Sequence, residues 1–305
     1  MRQLIFITIF FLVGVHIQGC ASSGLGVGSP PEGVVRWHVL DVSDDSGQAD
    51  ANLIQFQNGL VVLIDAGERT QGLVTRLEEQ GVDRIDKIFI SHPHKDHYSG
   101  IVSLLDAQVK IGEVYINEPP KALCDAEIPW GCDMGDIGNL IMRLKSLGIP
   151  VKSMTAGETY IKFDSVELTA VYAHDGISPP VGPTDINDLS VIMSLRNGDI
   201  RALFTGDLNL KFGQYLSSLA DVKLKAQLLK VPHHGTEGLA PDSFFEWVAP
   251  EVGFIPAPAS LWLSERSKRP RDWFKNHNTP VYVTGIDGAV MIDILQTEYK
   301  IRVLK

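Results

Sequence analysis

Apolar residues in this chain fall mostly into short runs, such as Leu60-Val61-Val62-Leu63-Ile64, Ile88-Phe89-Ile90 and Gln227 to Val231. Runs of that length, rich in Val, Ile and Phe and closed by Gly, Asn, Asp or Pro, predict strands. Val34 to Leu40, Asn52 to Phe56, Ile85 to Ile90, Val114 to Ile116, Thr159 to Phe163, Val166 to Tyr172, Leu189 to Leu195, Arg201 to Phe204, Gly253 to Ile255, Val281 to Thr284 and Ala289 to Ile292 read the same way. Between them the apolar period lengthens. Leu73, Val74 and Leu77 share a helical face within Thr70 to Gln80, and Tyr98 to Leu105 and Leu210 to Leu219 read as helices. So does the segment carrying Ile137, Leu140, Ile141 and Leu144, with Asp136 as its expected cap, and the short Phe244 to Trp247. Asn58-Gly59 and Asn197-Gly198 predict tight hairpins, and Ile286 to Gly288 reads as a turn pairing the strands on either side. Glu118 to Asp133, with two prolines and two cysteines, reads as an irregular surface loop. Strands alternating with helices predict an α/β architecture.

Several of the strands end at side chains with chemistry. Asp65 follows the run ending at Ile64, His174 follows Tyr172, Asp207 follows Phe204, and His233-His234 follow Val231. The densest case is Ser91-His92-Pro93-His94-Lys95-Asp96-His97, directly after Ile88-Phe89-Ile90. His92 and His94 are two apart, so in extended backbone their rings point to one side. Pro93 between them forbids helix there. Neutral imidazole with carboxylate suits zinc, iron or manganese. If the strands lie side by side, their ends form one rim on which these residues meet, where open α/β sheets place ligands.

His-x-His-x-Asp-His after a buried strand resembles the signature of the metallo-β-lactamase superfamily. Phe204-Thr205-Gly206-Asp207 is similar to its bridging-aspartate motif, His233-His234-Gly235 to its final-histidine motif, and Ile64-Asp65-Ala66-Gly67 to its early supporting aspartate. The middle histidine of the family is replaced by Asn187-Asp188-Leu189-Ser190. That departure resembles the ComEC-like stand-alone hydrolases, as do His38-Val39-Leu40-Asp41-Val42, Asp50-Ala51-Asn52, Leu229 to Gly235 and Val283 to Ala289. The resemblance runs from about residue 34 to 305 and implies a four-layer αββα sandwich in a single domain. It further implies two divalent metal ions, zinc or manganese. His92 and His94 would hold the first, Asp96, His97 and His234 the second, and Asp207 would bridge them. Two such cations lower the pKa of a shared water and supply hydroxide near neutral pH. Asp96, His97 and Asp207 are thereby the expected catalytic residues. The third ligand of the first metal stays open among His174, Asn187 and Asp188, with His174 equally a supporting histidine. Asp65 orients an imidazole from behind, and His233 supports the site or contacts substrate.

The substrate implied by the ComEC-like resemblance is a phosphodiester, DNA included. The cluster Arg266, Lys268, Arg269, Arg271 and Lys275, with Trp262 and Trp273 among it, agrees with phosphates and bases, or is simply a solvated basic face. A formal net charge of −10 works against tight polyanion binding. A phosphocholine-type envelope esterase and a non-catalytic lipoprotein that kept the fold are the alternatives.

The first 19 residues read as an export signal, with Arg2 ahead of an apolar run from Leu4 to Val15 that is short for a membrane span. Ile17-Gln18-Gly19-Cys20 resembles a bacterial lipobox, making Cys20 a candidate lipidation site and the bacterial cell envelope the expected location, the lipid chain holding the protein to a membrane. Residues 20–33 read as a tether and 34–305 as the hydrolase domain. In an oxidising compartment Cys124 and Cys132 could close a disulfide; two free thiols are the alternative.

Overall fold

The computed structural model describes residues 29–44, 47–69, 72–127, 131–174, 185–219 and 224–304. The expected signal segment, Cys20 and most of the expected tether lie outside them. In chain order the first strands are β1 (Val35–Val39), β2 (Ala51–Phe56), β3 (Val61–Ala66), β4 (Arg84–Phe89), β5 (Lys110–Tyr115) and β6 (Val151–Lys152). Then come β7 (Thr159–Phe163), β8 (Val166–Tyr172), β9 (Ile192–Asn197), β10 (Ile200–Phe204), β11 (Leu228–Lys230), β12 (Val252–Ile255) and β13 (Val281–Val283). The chain ends with β14 (Ala289–Ile294) and β15 (Tyr299–Leu304). One sheet has the order β15-β14-β1-β2-β3-β4-β5-β6, the other β13-β12-β11-β10-β9-β8-β7.

Alternation along the strands explains why two sheets stack. In β2, Ile54 and Phe56 enter the core between the sheets, while Ala51 and Leu53 face outward under helices. In β10, Ala202 and Phe204 point inward and Leu203 outward. Both faces are apolar, so each sheet needs a cover on both sides. Helices Leu73–Glu79, Gly100–Asp106 and Met134–Ser146 cover the outer face of the first sheet. Leu210–Ser218, Asp242–Val248 and Lys268–Asn276 cover the second. The result is the expected four-layer αββα sandwich. At its centre Trp37 from the first sheet packs edge-on against Phe204 and Phe254 of the second, with centroids 4.8 and 4.7 Å apart. Its ring N–H donates to Asn52 Oδ1 at 3.0 Å, so the one polar atom of the ring is satisfied.

The sheets repeat one plan. β1, β2 and β3 are antiparallel neighbours and β3 to β6 parallel; β8, β9 and β10 are antiparallel and β10 to β13 parallel. Asp65 at the end of β3 thus corresponds to Asp207 just after β10, and the histidine loop after β4 to His233-His234 after β11. The functional strands lie side by side in two pairs, β3–β4 and β10–β11, one in each sheet.

The structure corrects four local expectations. The cap of Met134–Ser146 is Asp133, whose side chain accepts from the N–H groups of Gly135 and Asp136; a cap must precede the helix, and Asp136 lies inside it. The segment from 281 to 292 is not a hairpin: β13 pairs with β12, and β14 crosses to the other sheet to pair with β1. The strand expected from Leu189 starts at Ile192, after a 3-10 turn at Asn187–Leu189. The loop from Glu118 to Asp133 contains the short helix Lys121–Asp125.

Because Trp37 spans the two sheets, Trp37→Ala is expected to cost about 3–5 kcal/mol, as large aromatic truncations in a packed core do. Equilibrium denaturant unfolding of the wild type and variant measures it.

Candidate metal centre

Each strand end delivers its side chain through a short, constrained turn. Asp65 (φ 57°), His233 (φ 50°) and His234 (φ 50°) adopt the left-handed region that side-chain-bearing residues avoid, and such strain gathers at functional sites. Gly206, also at positive φ (50°), lets the Asp207 turn lie against Ser190 and Ser91; a Cβ there would sit 2.7 Å from Ser190 Oγ. Gly100 lets its helix meet the end of β3, where a Cβ would fall 1.9 Å from the carbonyl oxygen of Ala66.

Four histidines converge, and each has its outward nitrogen engaged. His97 Nδ1 donates to Asp65 Oδ2 at 2.9 Å, and His234 Nδ1 to the carbonyl of Pro256 at 2.8 Å. His94 Nε2 donates to Glu127 Oε2 at 2.6 Å. Ser91 gives its hydroxyl proton to Asp65 and accepts from His92 Nδ1 at 3.1 Å. These partners assign the tautomers. The inward atoms are therefore His92 Nε2, His94 Nδ1, His97 Nε2 and His234 Nε2.

The inward atoms fit a metal better than they fit one another. Asp96, His97, Asp207 and His234 each offer a donor atom within 4.8 Å of the others. His97 Nε2 lies 3.3 Å from Asp207 Oδ1, and His234 Nε2 lies 3.3 Å from Asp207 Oδ2 and 3.4 Å from Asp96 Oδ2. His97 Nε2, His234 Nε2 and Asp207 Oδ1 are buried without a hydrogen-bond partner, which proteins avoid unless another ligand completes the group. His92 Nε2 and His94 Nδ1 stand 3.1 Å apart. Two bonds of ~2.0–2.1 Å at a tetrahedral angle place their donors about 3.3 Å apart.

Charge tells the same story. Burial opposes a charge on His234, yet Asp207 and Asp96 raise its pKa to about 9, and Asp207, Asp65 and Asp96 likewise hold His97 well above the ordinary histidine value. Burial would raise the carboxyls, but His234 and His97 hold Asp207 well below its usual range, and His97 and His234 bring Asp96 down to about 2. Burial and the neighbouring imidazoles keep His92 neutral. A set of anionic oxygens and imidazoles that stabilises protons so strongly suits a divalent cation in their place.

A second group, Asp50, Asp65 and His97, also lies within 4.8 Å. It is already satisfied from within. Asp65 accepts from Ser91 and His97, and the buried Lys230 ammonium pairs with Asp50, donates to the carbonyl of Gly206 at 2.8 Å and stands 3.6 Å from Asp207 Oδ1.

The remaining sequence candidates divide. Asn187 and His233 line a cleft of ≈ 270 Å³ together with His94, Asp96, Asp207, Lys95 and Glu68. Asn187 Oδ1 and His233 Nδ1 are buried without a partner. Asp188 turns the other way, toward Asp185, where burial and that second carboxylate raise its pKa to about 7. His174 packs near Phe212, with centroids 6.4 Å apart, and belongs to neither His/Asp group. Cys124 and Cys132 form a disulfide. Sequence reading missed Glu127 and Lys230 as site residues. Lys230 stood within a quoted motif, but nothing in its neighbours said the ammonium would be buried. Glu127 lies in a loop with no periodicity to place it.

The basic cluster near the end of the chain is not an open cationic face. Arg266 pairs with Glu237, Lys268 with Asp272 and Arg269 with Asp242. Arg271 donates to the carbonyls of Trp262 and Ser264, and Trp262 and Trp273 are buried.

Comparison with known proteins agrees with this geometry. Residues 44–126 match the model of the metallo-β-lactamase superfamily. The chain is 20% identical over 235 residues to ComE operon protein 3 of Bacillus subtilis (strain 168), covering 76% of this chain and 27% of that protein. It is 24% identical over 274 residues to competence protein ComA of Neisseria gonorrhoeae, covering 87% and 33% respectively. It thus spans about a third or less of these relatives' length. Among solved structures, the metallo-β-lactamase fold protein YhfI from Bacillus subtilis superposes with a TM-score of 0.50 at 12% identity, over 82% of this chain and 96% of that one. The chain thus carries a metallo-β-lactamase superfamily match at residues 44–126, within an αββα sandwich whose His/Asp cluster is able to bind metal.

Proposed function

We propose that the protein is a metal-dependent phosphodiesterase working through two divalent cations, zinc or manganese. The observation that carries this is the set of inward donor atoms on His92, His94, Asp96, His97, Asp207 and His234, the four imidazoles each held from behind and three of the atoms buried without a hydrogen-bond partner. His92 and His94 would hold the first ion, Asp96, His97 and His234 the second, and Asp207 would lie between them. When bound, such a pair supplies an activated water at neutral pH and a clamp for phosphoryl charge. The chain's own residues do the rest. Asp65 keeps His97 in its tautomer, His233 offers a ring buried into neutrality to a substrate oxygen, and Asn187 contributes an amide oxygen at the cleft wall. Export and attachment to a membrane through Cys20 are part of the same proposal, placing the enzyme in the bacterial cell envelope. No helix among the described residues is long and apolar enough to cross a membrane.

The first substrate to test is DNA, in keeping with the ComEC-like motifs. A specific observation favours a small envelope phosphoester, of phosphocholine type, as the second reading: three of the five cations of the basic cluster are already paired with carboxylates, and the cleft is small.

Three outcomes are expected. His94→Ala should lower cleavage of bis-nitrophenyl phosphate by more than ~100-fold, beyond what loss of a supporting residue costs; steady-state assays with metal analysis of the same samples decide it, and unchanged turnover would indicate a scaffold. If DNA is the substrate, cleavage should fall steeply between low and moderate salt; salt-independent hydrolysis of a small phosphoester selects the second reading. Divalent affinity should rise as pH climbs from about 6 to 9, because metal must displace the proton that His234 holds until about 9. Chelator competition across that range measures it, and proton release on metal addition gives an independent count. In the metal-free protein the stability from charged His234 is complete below 6.5, the ordinary value, and is lost as pH rises through about 9.

A further inference from the structure

The geometry points to Glu127 as the positioning residue of the first metal position, held there by the Cys124–Cys132 disulfide. This rests on the two-ion reading above. A histidine can face a metal with either nitrogen, and its partner on the far side decides which. For His94 that partner is Glu127, whose Oε2 accepts from Nε2 at 2.6 Å; both side chains are 9% exposed. The bond turns Nδ1 of His94 toward Nε2 of His92. Glu127 thus does for His94 what Asp65 does for His97.

The carboxylate is anchored twice more. Its Oε1 accepts from the N–H of Ile186 at 3.2 Å, beside the Asn187 turn that lines the cleft. Its place in the chain falls between the two cysteines, so the disulfide closes a short ring around it. The far limb of that ring packs directly on the bond. Gly131 is so close that a Cβ there would lie 2.8 Å from Glu127 Oε2 and 3.1 Å from His94 Nε2. With both oxygens engaged, Glu127 acts from behind the imidazole and not as a ligand. The arrangement makes the first metal position depend on an oxidised loop, while His97 and His234 take their supporting bonds from Asp65 and Pro256 in other segments.

The test uses the full chain, loaded with Zn²⁺ and titrated against a chelator while metal content is counted. Wild type is expected to hold two ions. Glu127→Ala should weaken one of them by ~10–100-fold and leave the other unchanged, the size typical of losing a carboxylate behind a ligating histidine. Glu127→Gln, which can still accept the Nε2 proton without the charge, should fall between. The double variant Cys124→Ser, Cys132→Ser should behave as Glu127→Ala does. Loss of both ions together, or a Glu127→Ala curve that overlays wild type, overturns the positioning role. Serine variants that keep both ions at full affinity overturn the disulfide's part. A wild type that takes up only one ion sinks the two-ion reading itself, and this inference with it. Melting of the metal-free Glu127→Gln protein at the wild-type temperature shows that the effect belongs to the site and not to the fold.

Discussion

A buried pairing of charges holds the site end of the molecule together. Lys230, 1% exposed, stands at the end of β11 in the second sheet, and its ammonium reaches Asp50, which leads into β2 of the first. The same ammonium holds the carbonyl of Gly206 and stands near Asp207. A charge so deep is tolerable only when it is paired and its hydrogen bonds are filled. The pair therefore fixes how the strand ends of the two sheets meet, and with them the distance between Asp207 and the histidine loop. Asp65 adds a second tie through Ser91 and His97.

The repeated plan of the sheets gives this arrangement its logic. In each half a parallel strand pair ends in one aspartate and one histidine-bearing turn, and the two pairs face each other across the central core. Neither half assembles the centre alone. His97 from the first half and His234 from the second close on the two oxygens of one carboxylate, Asp207. The aromatic cluster of Trp37, Phe204 and Phe254 packs the halves together, and Asn52 links it to the charge pair: its amide oxygen accepts from Trp37 and its amide nitrogen donates to Asp50.

The outward bonds of the histidines matter as much as the inward atoms. A serine, a backbone carbonyl and two carboxylates hold the four rings, so each is fixed by a different piece of chain. Such preorganisation removes the rotamer freedom that a metal would otherwise have to freeze on binding.

The alternation of short apolar runs with helical periods, and the fall of Asp65, His92 to His97, Asp207 and His234 at strand ends, were local facts that sequence alone determined. The hairpins at Asn58-Gly59 and Asn197-Gly198 were equally local, because turn chemistry sits in adjacent residues. Sheet membership was not. β13 and β14 are separated by a short turn yet lie in different sheets, since pairing is set by which faces must be buried and not by which strands are near in the chain. The same holds for the site. Sequence named the donors, but which nitrogen of each ring faces inward, that Asn187 and not Asp188 or His174 borders the cleft, and that Glu127 stands behind His94 were decided only by tertiary packing. Apart from the Ser91 contact of His92, those are properties of contacts between segments tens of residues apart, and no local pattern encodes them.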